Sequence, residues 1–411
     1  MSVTLDEVRA WDTDDPLRGL RERFLLPKGV IYLDGNSLGA LPKAAVARTA
    51  AVVEDEWGQG LVRSWNSRDW IGAPARIGGK IARLIGAAPD EVIVADSTSV
   101  TLFKLIVAAL GARPGRRVIL SEPGNFPTDL YVAQGVTQLL PGATLRLDPA
   151  DKIAAAIDKD VAVVMLTHVH YKSAARHDLA AITARAQAAG ALVIWDLSHS
   201  AGAIEVDLNA AGADLAVGCG YKYLNGGPGA PAWLFVARRH QASLSSPIAG
   251  WMGHAAPFDF VDEHRPAAGV AGWLTGTPPI LSLLALEAGV AQFDGVEMAT
   301  VEAKSRRLTS LYIDLVEDRC AGFGLALATP RDPALRGSHV AFAHPHAWPI
   351  MQAMIERGVI GDFRAPDILR CGFTPLYIGY EDVWRAVETL RDILAAESWR
   401  AERFQARAAV T

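Results

Sequence analysis

Between residues 76 and 195 the spacing of apolar positions switches repeatedly. Short β-branched runs at 91–94, 117–120, 143–147, 161–166 and 191–195 alternate with helically spaced segments at 76–85, 99–109, 130–134, 152–157 and 178–189. That alternation predicts crossover units and a mostly parallel sheet. Val161-Ala162-Val163-Val164-Met165-Leu166 has no polar interruption, which suits a strand covered on both faces. The flanks differ. Residues 1–30 read as a polar helical arm, 30–33 as a short strand, and 43–58 as a helix leading to an aromatic loop at 65–70. After residue 280 come two long helices, 281–293 and 303–318, then a mixed strand–helix section and a charged terminal helix at 396–411. The expected class is α/β: a large domain with a mostly parallel sheet covered by helices, plus a smaller α+β C-terminal domain. The expected division is 1–60 (a segment packing with the small domain), 61–285 (large domain) and 286–411 (small domain).

Composition narrows the picture. The 411 residues are 50% hydrophobic and 21% charged, a globular profile with ample core. A net charge of −5 suggests neither a nucleic-acid nor an anionic-membrane partner. Three cysteines, Cys219, Cys320 and Cys371, argue against a disulfide framework and fit a reducing compartment. Met1 to Arg9 lack the basic start and apolar stretch of a signal peptide, and no apolar run reaches about 18 residues. The expected location is the cytoplasm.

The candidate chemistry lies between residues 195 and 229. One apolar run ends in Asp196; a second leads to Gly218-Cys219-Gly220-Tyr221-Lys222-Tyr223-Leu224-Asn225-Gly226-Gly227-Pro228-Gly229. A carboxylate for a pyridine nitrogen and an amine for an aldehyde are what a pyridoxal phosphate site requires. Each also has a plainer reading: an acid at a strand end caps a turn, and a loop lysine is usually solvated. The glycines around Lys222 suggest close approach of a cofactor to the backbone, and a partly dry amine is both nucleophile and base. His199, three positions after Asp196, is a candidate to lie on the ring. Asp96-Ser97-Thr98-Ser99 ends a strand and opens a helix, a candidate phosphate site. Phe126, in Asn125-Phe126-Pro127-Thr128-Asp129, is a candidate to stack on a ring. Arg370 could clamp a carboxylate. His168 and His170 form a His-x-His pair, but no third ligand stands near, so no metal is expected.

Together, Ile31-Tyr32-Leu33-Asp34-Gly35-Asn36-Ser37-Leu38-Gly39, Asn125-Phe126-Pro127-Thr128-Asp129, Asp196-Leu197-Ser198-His199-Ser200-Ala201-Gly202, the Lys222 loop and Gly250-Trp251-Met252-Gly253-His254 resemble the kynureninase family. The resemblance implies fold type I of the pyridoxal enzymes, close to the class V aminotransferases. It implies hydrolysis of L-kynurenine to anthranilate and L-alanine, in kynurenine catabolism, by a homodimer with shared active sites. It implies that Lys222 carries the cofactor and acts as base, Asp196 binds the pyridine nitrogen, and Tyr221 relays a proton. Thr98, Ser99 and Tyr221 would hold the phosphate. Phe126, Pro127, Thr128, Asp129, Thr167 and His199 would line the cofactor, and Trp251 and Thr277 would come from the neighbouring subunit. Arg370, with Ser37 and Trp65, would face the substrate. Relatives favouring 3-hydroxykynurenine carry histidine and asparagine where Trp65 and Thr277 fall, which suggests the unsubstituted substrate. Rival readings are a class V aminotransferase, a cysteine desulfurase using Cys320, and a non-catalytic pyridoxal-binding protein.

Overall fold

The structure, a computed structural model, describes residues 3–407. Seven strands build the main sheet: β1 (Val92–Val94), β2 (Val118–Ser121), β3 (Thr144–Leu147), β4 (Val161–Thr167), β5 (Leu192–Asp196), β6 (Leu215–Cys219) and β7 (Ala232–Val236). Their order is β1-β7-β6-β5-β4-β2-β3. Strands β2 to β6 pair in parallel. The exception is β7, antiparallel to both neighbours. The segment joining β6 to β7 carries the Lys222 loop and no helix. This short loop returns the chain antiparallel, whereas the longer, equally helix-free segment 197–214 carries it from β5 to β6 in parallel.

Every residue of β4, β5, β6 and β7 is buried. Their side chains alternate between two cores: Val163, Met165 and Ile194 join one, and Val164, Leu166 and Trp195 the other. This period of two is the strand's own geometry, and each fully buried Val or Leu contributes about 1.5–3 kcal/mol. Helices α1 (Leu5–Asp14), α2 (Lys43–Ala51), α3 (Ala73–Leu84), α4 (Thr98–Gly111), α5 (Pro127–Leu139), α6 (Leu179–Ala188), α7 (Ile280–Val290), α8 (Met298–Arg319), α9 (Ala347–Glu356) and α10 (Tyr380–Ala395) surround this sheet and a second one. The second sheet is antiparallel, ordered β8 (Ala326–Leu327), β9 (His339–Ala343), β11 (Ile368–Gly372) and β10 (Asp362–Arg364). Ile31–Tyr32 runs parallel to Val359–Ile360, and the Gly372 N–H donates to the Leu33 carbonyl at 2.7 Å.

Local departures from the sequence reading have identifiable causes. The N-terminal arm is helical only over α1, which the Thr4–Glu7 capping box starts. Arg18–Arg23 is a 3₁₀ segment, and Phe24–Leu25 pairs with Leu41–Pro42. Beyond α2 the helix widens into π-type turns over Val52–Gly60. The expected terminal helix is absent over its described part. Glu397 takes a left-handed conformation (φ 47°), and two 3₁₀ turns follow, which bury Trp399 and Phe404. Its last residues, 408–411, and residues 1–2 of the arm lie outside the described part.

Candidate functional site

Because β2, β4, β5 and β6 are parallel, their carboxyl ends open on one edge, where α/β sheets place their ligand sites. Ser121, Thr167, Asp196 and Cys219 are the last residues of these four strands. Asp196 is buried; its Oδ1 accepts from the Ser198 N–H at 2.8 Å. Burial pushes its carboxyl up, against the pull of Ser198 and the Lys222 charge. Asp129, in the first turn of α5, is fully buried. Its Oδ2 accepts from Thr167 Oγ1 at 3.2 Å, while Oδ1 has no partner among the described residues. Burial, then the nearby Asp196 charge, raises it well above the ordinary range. Thr167 also donates to Asn125 Oδ1, and Asn125 Nδ2 donates to Ser121 Oγ at 3.0 Å.

Lys222 faces these acids. Its side chain is buried, and Nζ lies 3.4 Å from His199 Nε2. The same nitrogen stands 5.4 Å from the centre of the Phe126 ring and 5.8 Å from that of Tyr221, within cation–π range. Burial first, then the Lys222 charge, drives His199 well below its usual value, so its ring is neutral. The Tyr221 phenol is pushed up, chiefly by Cys219 and by burial. The glycines here serve chain packing more than cofactor approach. A Cβ on Gly218 would stand 2.3 Å from the Trp233 ring, and one on Gly220 would stand 2.5 Å from the Pro231 carbonyl oxygen. Gly227 and Gly229 instead supply positive φ (83° and 75°).

Thr98 and Ser99 open α4 beside Asp96, which takes a left-handed φ of 51°. Lys104, fully buried further along the same helix, donates to Asp96 Oδ2 at 2.5 Å and to the Trp273 carbonyl at 2.6 Å. It thereby ties the start of α4 to the loop ending in Thr277. Asp96, Thr275 and Thr277 line a cavity of about 280 Å³ there. Thr277 is exposed, and Trp251 is 40% exposed, stacked on Phe260. Neither joins the Lys222 cluster within this chain. Trp65 packs edge-on against Trp70, 5.7 Å between ring centres.

The Asp34–Gly39 turn joins the two sheets. The Gly39 N–H donates to the Tyr221 carbonyl at 2.8 Å, and Ser37 Oγ donates to Asp362 Oδ2 at 3.0 Å. Arg370, 1% exposed in β11, donates from Nε to Asp362 Oδ1 at 2.8 Å and from Nη2 to Ser37 Oγ at 2.9 Å. A second Nη2 bond goes to Asp362. Its Nη1 donates to the Tyr171 carbonyl, and the Tyr171 ring meets Phe126 edge-on at 5.3 Å. Sequence reasoning missed Tyr171, Asp362 and Arg364. The strand pairing that sets Asp362 opposite Arg370 is long-range and left no signal in the sequence. Of the histidine pair, His168 bonds Ser200 and Arg176, and His170 bonds the Gly124 carbonyl. Among the described residues no group of three His, Cys, Asp or Glu is placed to hold a metal ion.

Residues 301–390 match the family described as the kynureninase C-terminal domain. A kynureninase of Burkholderia mallei (strain SAVP1) is 54% identical over 99% of this chain and 100% of its own length. The chain belongs to the kynureninase family. A kynureninase of Pseudomonas fluorescens is 51% identical, with both chains fully covered. Solved structures share the fold at lower identity. An apo cysteine desulfurase of Thermococcus onnurineus NA1 superposes with a TM-score of 0.76 at 18% identity, covering 92% of this chain and 98% of that one. A C-DES protein with glycine covalently linked to its PLP cofactor gives 0.78 at 16%, covering 90% and 99%. The architecture is that of these fold type I enzymes. This chain thus carries a buried amine and two buried acids at the carboxyl edge of the main sheet, with a buried arginine in the second sheet. Among the described residues no helix is long and apolar enough to cross a membrane.

Proposed function

We propose that the chain hydrolyses L-kynurenine to anthranilate and L-alanine with pyridoxal 5′-phosphate as its cofactor. The observation that carries this is the buried Lys222 amine facing Asp196 and Asp129, in a chain so close to proteins named kynureninase along its whole length. The residues fit the group: Asp129 Oδ1 is a buried acceptor in want of a donor, and two raised acids beside one amine suit a cationic heterocycle. Bound here, the cofactor supplies an electron sink conjugated to the substrate's Cα.

Lys222 Nζ would hold the cofactor's aldehyde and, once released, take and return the Cα proton. Asp196 would keep a proton on the pyridine nitrogen, with Asp129 and Thr167 beside it. Phe126 would cover one ring face, His199 would lie next to the ring, and Pro127 and Thr128 would set the turn that aims Phe126. Thr98, Ser99 and the free N–H groups opening α4 would take the phosphate with the Tyr221 hydroxyl. Tyr221, whose raised phenol keeps its proton, would relay that proton near the substrate's γ-carbonyl. Arg370 and Ser37 would receive the α-carboxylate. Trp251 and Thr277 would enter from the neighbouring subunit of a homodimer, and Trp65 would border the substrate ring, favouring unsubstituted kynurenine. We read residues 1–60, 61–285 and 286–411 as N-terminal segment, large domain and small domain, and assign the enzyme to the cytoplasm. The desulfurase alternative lacks support at Cys320, which is buried, with its thiol pushed up to about 12 by burial.

Purified protein given L-kynurenine should release anthranilate, followed by its fluorescence. Lys222→Ala should lose both turnover and the visible cofactor band. Retained activity in that variant would remove Lys222 from the chemistry, and absence of anthranilate with the parent protein would remove the reaction.

A further inference from the structure

Arg370 cannot serve a substrate carboxylate alone without giving something up. Its five N–H donors are nearly all committed: Nε and one Nη2 hydrogen to Asp362, the other Nη2 hydrogen to Ser37, and one Nη1 hydrogen to the Tyr171 carbonyl. Turned with its oxygen toward the guanidinium, the Asn36 amide also accepts from Nε and Nη2, at 3.1 Å each. One Nη1 hydrogen remains, too few for a two-pronged bond.

Arg364 stands beside it with capacity to spare. Asp362 and Arg364 lie two apart on β10 and so share a face, with Asp362 directly opposite Arg370. Arg364 Nη2 donates to Asp362 Oδ2 at 2.5 Å and to Ser37 Oγ at 3.2 Å. Its Nε is buried with no partner among the described residues. Its side chain is 36% exposed against 1% for Arg370. Arg364 is thus the solvent-accessible member of the pair and Arg370 the buried one. Arg364 and Arg370 both contribute to the depression of His199, after burial, Lys222 and His339. Two guanidinium groups share one firm carboxylate, Asp362, whereas Asp34 is held toward its neutral form. At neutral pH the cluster therefore carries more positive than negative charge.

We propose that Arg364 binds the substrate's α-carboxylate together with Arg370, forming a two-arginine clamp bridged by Asp362 and Ser37. This rests on the cleavage reading for the identity of the substrate, but its test does not use cleavage. Holoenzyme is titrated with L-alanine and with L-alaninamide while the cofactor absorption band is followed. Arg364→Gln should weaken L-alanine by about tenfold, the loss of one charge-assisted hydrogen bond, and alter L-alaninamide less than about twofold. Arg364→Lys should recover part of the L-alanine affinity and none of a two-pronged geometry. Equal loss for both ligands would mean a merely structural role, and no loss for either would mean that Arg370 acts alone; both overturn the proposal. If the parent protein forms no anthranilate yet the variant loses its preference for the carboxylate, the clamp stands and the cleavage reading falls.

Discussion

Asp34 and Asp362 are carboxyls in one cluster with opposite fates. Burial raises Asp362, but the Arg370 charge and hydrogen bond, with help from Arg364 and Ser37, outweigh it and hold the acid below its ordinary value. Asp34 is partly buried beside Asp362, with less direct pairing: its Oδ1 is buried with no partner among the described residues, and its carboxyl is pushed up to about 7 by burial and by the Asp362 charge. An acid whose folded value exceeds its unfolded value binds more protons when folded. Asp34 thus favours the fold at low pH, and the advantage is lost as pH rises from about 4 through about 7. Asp34→Asn removes that titration. Urea unfolding at about pH 5 and about pH 8 should show the parent losing more stability than the variant over this interval, by on the order of 2 kcal/mol. An equal loss in both would exclude Asp34 as the titrating group. The same proton matters for binding. Ionised Asp34 would neutralise the arginine pair, so L-alanine affinity should fall through about pH 7 in the parent and stay flatter in Asp34→Asn. At this scale the sequence revealed the residues with singular settings: Lys222 among glycines, Asp196 after an apolar run, Arg370 in an otherwise apolar strand. Arg364 and Asp362 look like any charged pair in a hairpin. Their role comes from strand pairing with Arg370 and from the Asp34–Gly39 turn laid across them, both of which are long-range.

The Lys222 loop shows what an element's spacing conveys and what it hides. Its glycines were readable as special, and the reason was not. Gly218 leaves room for the Trp233 ring on the adjacent antiparallel strand, whereas a methyl group on Gly227 would meet nothing within 4 Å but would sit at φ 83°. The two substitutions should therefore fail differently. Gly218→Ala forces an indole out of a packed core and should cost about 2 kcal/mol. Gly227→Ala incurs only the left-handed backbone penalty, about 1 kcal/mol. Chemical denaturation ranks them, and near-equal values would mean that the Trp233 contact relaxes freely. The pairing that makes Gly218 special belongs to β7, a strand that the sequence reading did not mark. Direction is set by the connection, here the short Lys222 loop, rather than by the strand. The parallel strands β2, β3 and β4 were legible because a helical period follows each apolar run. The terminal segment misled for the opposite reason: its charges suggested a helix, but buried Trp399 and Phe404 govern its path.

Among the described residues, two groups of exposed large apolar side chains contain aromatic rings close together in sequence. Trp57, Leu61 and Val62 are 57%, 58% and 77% exposed around the turn that follows α2, and Trp251, Phe258 and Phe260 are 40%, 58% and 77% exposed around the Trp251 turn. Monomeric surfaces rarely leave clustered large apolar groups open to water, and a self-complementary patch is the ordinary basis of a two-fold dimer. No helical periodicity separates such a face from one that packs inward, so these positions carried no signal before the tertiary structure placed them outside. The site gives a second reason for a partner. Within one chain Trp251 and Thr277 stand apart from Lys222, although their motifs belong with the same family pattern. If a second copy supplies them, dissociation and loss of turnover must go together. Trp57→Asp combined with Val62→Asp puts two charges on the first patch and leaves Lys222, Asp196 and Arg370 untouched. Sedimentation at micromolar concentration should show the parent at twice the mass of its chain and the variant shifted to single chains. Anthranilate formation should fall at least about tenfold, and adding concentrated variant should restore it in proportion to the dimer recovered. A variant that stays paired would show that this patch is not the interface, and a single-chain variant with full turnover would show that each chain's site is complete without its neighbour.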